Sequence, residues 1–163
     1  DLGYGPFVKF DHDFIGRAAL ETMAEQPKRK KVTLALDDDS VTETFYGQFG
    51  KGELRPKYME FPSGVYAMHP FDRVEKDGKL IGLSTWISYT ANEGKVLTLA
   101  MLNEEFAAPG TEVDFIWGEP DGGTSKPTVE KHKQVTIRAV VAPVPYSEVA
   151  RTSYAESWRT KAA

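Results

Sequence analysis

Residues 73–102 read RVEKDGKLIGLSTWISYTANEGKVLTLAML. Asp77-Gly78 stands between two runs that suit strands. A two-residue hairpin turn requires positive φ at both central positions, which Asp-Gly supplies. The outgoing strand continues through Leu83 to Tyr89, Asn92-Glu93-Gly94 turns the chain, and Val96 to Leu102 brings it back. The nearly unbroken apolar character of that last run predicts a central strand.

Working outward, the same period of two appears on both sides. Lys31 to Leu36 alternates, with Val32, Leu34 and Leu36 on one face. Thr111 to Trp117 alternates with Val113, Phe115 and Trp117 sharing a face, and Lys133 to Val141 supplies the last long strand. Between them, Asn103 to Gly110 reads as one helical turn stopped by Pro109-Gly110, and Gly118 to Val129 as a polar loop rich in glycine and proline. Five or six strands at roughly 10–20 residue spacing predict a mainly β protein, a small antiparallel, Greek-key-like barrel.

A helix is expected at each end. After the extended Phe7-Val8-Lys9-Phe10, Asp13 stands in a capping position before Phe14 to Leu20, where its carboxylate accepts from first-turn amides. Gly16 costs about 1 kcal/mol inside such a turn and suits a place where something approaches closely. Gln26 to Lys31 closes the helix, with Pro27 stopping it and cations at its carboxy end. At the far end Pro143 to Tyr146 is extended, and Ser147 caps a helix to about Arg159. Ala150, Tyr154 and Trp158 share one face of it, to dock on the barrel or on a portion outside this chain.

Residues 40–69 are hard to read: Phe45, Tyr46, Phe49, Tyr58, Phe61 and Tyr66 interleave with glycines and prolines. An aromatic-rich irregular loop or a loose extra strand pair is expected. It either packs as a satellite cluster on the barrel, or covers an aromatic substrate or contacts a portion outside this chain. Asp37-Asp38-Asp39 lacks the alternate ligands and turn glycine of a calcium loop and reads as a solvated turn.

The 163 residues suffice for one domain, with 40% hydrophobic and 27% charged residues, the values of an ordinary globular protein. Zero cysteines exclude disulfides and thiolate chemistry and are compatible with a cytoplasmic protein. There is no apolar run of membrane-spanning length and no signal-peptide pattern. A net charge of −4 argues against a nucleic-acid partner despite the basic window at 28–31.

Direct catalytic signals are absent. His12, His69 and His132 have no metal-ligand spacing, so no metal site is expected. Gly-x-Ser-x-Gly does not occur, and Gly118 to Lys126 lacks the Gly-Lys-Ser/Thr ending of a phosphate loop.

The segment GYGPFVKFDHDFIGRAAL (3–20), with D-F-I-G-R-x-A-L after V-K-F-D, resembles the signature of the glycine-cleavage T-protein (aminomethyltransferase) superfamily. Together with APVPYSEVARTSY near the end, it looks most similar to the tetrahydrofolate-dependent O-demethylases of lignin-derived methoxy-aromatic acids. The likeness covers 1–20 and 70–146 well and 37–69 poorly. It implies the carboxy-terminal part of a larger enzyme. Residues 1–26 would be a strand end and linker helix from a preceding folate-binding domain. Residues 27–146 would be the barrel, carrying an irregular insertion at 37–69, and 147–163 a helical tail. Its partners would be that amino-terminal portion and a small-molecule substrate, its cofactor tetrahydrofolate. Lys9, Asp11 and Tyr146 are carried over as folate-binding positions. Glycine-cleavage enzymes have a basic residue near position 11; Lys9 and Asp11 also read as a surface pair at a strand end, and Arg17 as a tie to a neighbouring carboxylate. No catalytic residue is expected here, so the chain alone should be silent. The alternatives are an aminomethyltransferase of glycine cleavage, a dimethylsulfoniopropionate demethylase, and a non-catalytic β-barrel interaction module.

Overall fold

The computed structural model describes residues 5–26, 28–61, 71–123, 127 and 129–154. Six strands form a closed antiparallel barrel: β1 (Arg29–Leu36), β2 (Arg73–Lys76), β3 (Lys79–Thr90), β4 (Lys95–Asn103), β5 (Glu112–Trp117) and β6 (Val135–Ala142). Around the wall they run β1-β4-β3-β2-β5-β6, and β6 pairs with β1 to close it. After the β2-β3-β4 meander, β5 returns to the free edge of β2, which is a Greek-key connection.

The expected hairpin is present. Asp77 (φ 51°) and Gly78 (φ 73°) turn β2 into β3, and Gly94 (φ 61°) helps turn β3 into β4. Inward residues follow the predicted period: Val32, Leu34 and Leu36 on β1, Val113, Phe115 and Trp117 on β5, and Ile137, Ala139 and Val141 on β6 are all buried. Removing a Leu, Ile or Phe side chain of this kind from water contributes roughly 1.5–3 kcal/mol. β4 pairs on both sides, as expected of a central strand, although its burial strictly alternates.

Both mouths are plugged. The connection from β1 to β2 crosses one end through α2 (Asp38–Gly47), and Val41 and Met59 join the core there. The connection from β4 to β5 crosses the other through a 3-10 turn (Glu104–Phe106), which brings Phe106 and Ala107 against the core.

Several expectations are corrected. Asp37 begins a helix instead of sitting in a solvated turn: its Oδ1 accepts from the Ser40 amide at 2.9 Å, the geometry of an N-cap. The first part of the 37–69 stretch is therefore a regular helix. Its aromatics do form a satellite cluster, in which Phe45 meets Phe49 and Phe61, and Phe61 meets Tyr89 of β3. The amino-terminal helix α1 spans Arg17–Met23, capped by Gly16 rather than Asp13. Gly16 is there for its φ of 93°, since nothing lies within 4 Å of a Cβ built on it. The basic residues 29–31 belong to β1, not to a helix end. The final helix, α3, covers Glu148–Arg151, and Ser147 makes no side-chain cap bond. Trp158, like His69 and Tyr66, lies outside the described residues. No helix among the described residues is long and apolar enough to cross a membrane.

Candidate functional site

β6 ends at Ala142, and the segment that follows, a run of bends at 144–147 rather than the expected extended stretch, lies against the outside of the barrel. There Tyr146, the aromatic singled out from the sequence, lines two grooves at once.

The larger groove, of about 700 Å³, follows the outer wall over β1, β6 and β5. Six carboxylates (Asp37, Asp38, Asp39, Asp77, Glu112, Asp114) line it against the cations Lys76, Lys95 and Arg138. All three cations are already engaged, Lys76 Nζ with the Glu112 carbonyl at 2.8 Å and the other two with carboxylates. Arg138 Nη2 donates to Asp37 Oδ1 at 2.6 Å, and Lys95 Nζ to Asp38 Oδ2 at 2.7 Å. The Ser40 backbone and hydroxyl bonds, with Arg138, hold the Asp37 carboxyl down at about 2. The Asp38 bond raises the Lys95 ammonium. This field favours cations and neutral groups and repels anions.

The smaller groove, about 220 Å³, is apolar and lies over β3 and β4, between Trp86, Leu97 and Leu99 on one side and Val144, Pro145 and Tyr146 on the other. A flat ring or an apolar side chain suits it.

A third constellation, which no spacing in the sequence signals, lies where β5 ends and β6 begins. Lys57 is 1% exposed, with its Nζ 3.3 Å from Asp72 Oδ1, 3.4 Å from Glu119 Oε1 and 4.5 Å from the centroid of the Trp117 ring. Asp72 Oδ1 also accepts from the Gly118 amide at 3.0 Å. Burial, foremost, pushes the Asp72 carboxyl up, against the pull of Lys57. His132 is buried beside them. Its Nε2 accepts from the Glu119 amide at 2.9 Å and its Nδ1 donates to the Glu130 carbonyl at 2.9 Å. Glu119 Oε2 lies 3.3 Å from the same Nε2. The shorter bond comes from a backbone N–H that cannot turn away, so the imidazole proton sits on Nδ1. With a fully buried ammonium at its centre, the constellation is closed to substrate. Its work is to tie the segment after α2 to the entry of β2 and to the β5–β6 loop.

The other residues singled out from the sequence lie elsewhere. Lys9 and Asp11 are exposed on the amino-terminal segment and line neither groove with Tyr146. Asp11 accepts from His12 Nδ1 at 2.7 Å. Arg17 makes the expected tie to a carboxylate, Glu21, at 2.9 Å. Among the described residues, no three His, Asp or Glu side chains converge to hold a metal ion.

No family model matches the chain. Three curated proteins do. Among them, a syringate O-demethylase of Sphingobium sp. (strain NBRC 103272 / SYK-6) is 63% identical over 163 residues, which is 100% of this chain and 35% of that protein. A sesamin methylene transferase of Sinomonas sp. (strain No.22) is 30% identical over 162 residues, 93% of this chain and 33% of its own length. The chain thus spans about a third of the length of each of these two.

Proposed function

We propose that this chain is the carboxy-terminal barrel of a tetrahydrofolate-dependent O-demethylase acting on methoxy-aromatic acids of the syringate type, working in the cytoplasm. The observation that carries the reading is the 63% identity to a syringate O-demethylase from the first residue of this chain to the last. In the implied reaction the C–O bond of an aryl methyl ether breaks, the methyl joins N5 of tetrahydrofolate, and the proton released from N5 balances the phenolate as a phenol. A positioned acid must deliver that proton. Among the described residues the buried ionisable groups are already engaged, Lys57 and Asp72 with each other and His132 with Glu119 and the Glu130 carbonyl, which supports placing the acid in the preceding portion. The barrel is then silent by itself.

Lys9, Asp11 and Tyr146 are this chain's proposed contacts with the folate. The acidic groove beside Tyr146 refuses the carboxylates of a glutamate tail, so only another part of that molecule suits this side of Tyr146. The domain division at residues 26 and 146 belongs to the same reading.

A second reading is favoured by the sesamin methylene transferase likeness: a methylene carbon, rather than a methyl, passes to the folate. The test uses the intact polypeptide expressed from its own start codon, mixed with tetrahydrofolate and, separately, syringate, vanillate, a methylenedioxy-aromatic compound and an aminomethyl-carrier protein. Mass spectrometry reads the folate product. Methyltetrahydrofolate only with a methoxy-aromatic acid is the expected outcome. Methylene-tetrahydrofolate from the methylenedioxy compound or the carrier establishes methylene or aminomethyl transfer instead. Turnover by residues 1–163 alone refutes the silent barrel.

A further inference from the structure

Cross-strand register fixes what the outside of the barrel presents over β1, β4 and β3. Leu99 pairs with Thr33 on one side and Trp86 on the other, Leu97 with Ala35 and Ser88, and Met101 with Lys31 and Leu83. All of these point away from the core, which β4 meets through Val96, Thr98, Ala100 and Leu102. β4 is therefore apolar on both faces, although only one face meets the core. A strand with one wet face alternates apolar with polar residues, whereas continuous apolar character belongs to strands covered on both sides. Here Trp86 is 51% and Leu99 37% exposed. Val144 to Tyr146 border the face on one edge.

The amino-terminal helix repeats the pattern. α1 buries no side chain; Leu20 and Met23 are exposed on it, and Ile15 stands fully exposed just before it. Only residues 24–28 separate α1 from β1. Two apolar surfaces, adjacent in the chain, thus face water.

We infer that the outer face of β1, β4 and β3, centred on Trp86 and Leu99, and the apolar side of α1 are both covered by a preceding folded part of the same polypeptide. The inference rests on the reading of this chain as the end of a longer enzyme. It commits to that occupant rather than to a second copy for two reasons. The relatives are about three times as long as the stretch they share with this chain, and the exposed helix lies immediately on the amino-terminal side of the exposed face. Lys31 and Arg29 sit at the margin of the face, opposite Met101 and Asn103. The covering surface is therefore apolar at its centre with carboxylates toward that margin.

Leu99→Glu tests this in the intact polypeptide and in residues 1–163, with Leu80→Glu, beyond the end of β4, as the exposed control. Thermal unfolding and sedimentation are read in each. In the intact polypeptide Leu99→Glu is expected to split one unfolding transition into two or lower its midpoint, while Leu80→Glu leaves it unchanged. In residues 1–163 the same Leu99→Glu leaves the midpoint unchanged. Equal effects of the two substitutions in the intact polypeptide overturn the proposal. So does a 1–163 dimer that Leu99→Glu dissociates while the intact polypeptide is unaffected, since the occupant is then a second copy. The folate-product assay on the unsubstituted intact polypeptide keeps the two readings apart. A split transition without methyl transfer leaves the docking face standing and removes the function; methyl transfer with no selective effect of Leu99→Glu does the reverse.

Discussion

Lys57 and Trp117 hold each other at two points: the Lys57 ammonium lies 4.5 Å from the centroid of the Trp117 ring, and the indole N–H donates to the Lys57 carbonyl at 2.8 Å. The pair joins the last residue of β5 to a segment whose described residues form no strand beyond a single bridge from Pro56 to Lys133. A cation over an indole face away from water is worth about 2 kcal/mol. The larger role of Lys57 is to balance Asp72 and Glu119.

Lys57→Met removes that balance and leaves two carboxylates crowded together below the surface. Breaking a buried pair in this way costs about 3–5 kcal/mol. Urea unfolding at neutral pH should show a loss of that size, and Lys57→Met combined with Asp72→Asn should recover part of it. An unchanged midpoint for the single variant would contradict the role.

Asp72 gives a pH signature. Its carboxyl is raised above 3.8, chiefly by burial. A raised acid binds its proton more tightly when folded, so its contribution is present below the unfolded value of 3.8 and is lost as pH rises through the folded value. Asp72→Asn keeps an oxygen for the Gly118 amide and removes the titration. Stability of the variant should fall less between pH 4 and neutrality than that of the parent. Parallel pH profiles would place the effect elsewhere.

Asp37 acts in the opposite sense. Its carboxyl is depressed from 3.8 to about 2 by the Ser40 and Arg138 bonds. Its contribution is present above pH 3.8 and is lost as pH falls toward 2. Asp37→Ala should lower the melting temperature at pH 7 through loss of the α2 cap. At pH 2 the difference from the parent should shrink. A gap that persists unchanged at pH 2 would sink the assignment to the ionised cap.

Gly118 and Gly123 clasp the His132 ring from two sides. Both have positive φ, 112° and 88°. A Cβ on Gly118 would lie 2.8 Å from the ring, and one on Gly123 2.6 Å from the ring and 2.6 Å from the Glu130 carbonyl oxygen. Alanine at either position should cost at least the 1–3 kcal/mol of a strained backbone, about twofold more with the clash. His132→Ala should partly rescue Gly118→Ala, whose contact is the ring. It should not rescue Gly123→Ala, where the carbonyl remains. Equal rescue of both would refute the arrangement.

The barrel was legible because its signals are local. A strand writes its period of two into Val32, Leu34 and Leu36, and a hairpin writes its turn into Asp77-Gly78. Helix limits were read less well. Asp13 and Asp37 both precede helix-like residues, and a side chain three residues away decides which one caps. Ser40 offers both its amide and its hydroxyl to Asp37, and nothing comparable meets Asp13.

The sequence by itself determined the strands, their turns and the antiparallel barrel, since alternation and turn chemistry act over a few residues. It also marked Tyr146 as a residue to watch. Only the tertiary structure decided that Lys57, Asp72, Glu119 and His132 converge, since they are spread over 76 positions and meet only once the barrel closes. The same closure turned the apolar run Val96 to Leu102 into two faces, one buried in the core and one turned outward. Sequence shows that such a strand is apolar throughout; cross-strand register alone shows which half of it is turned outward.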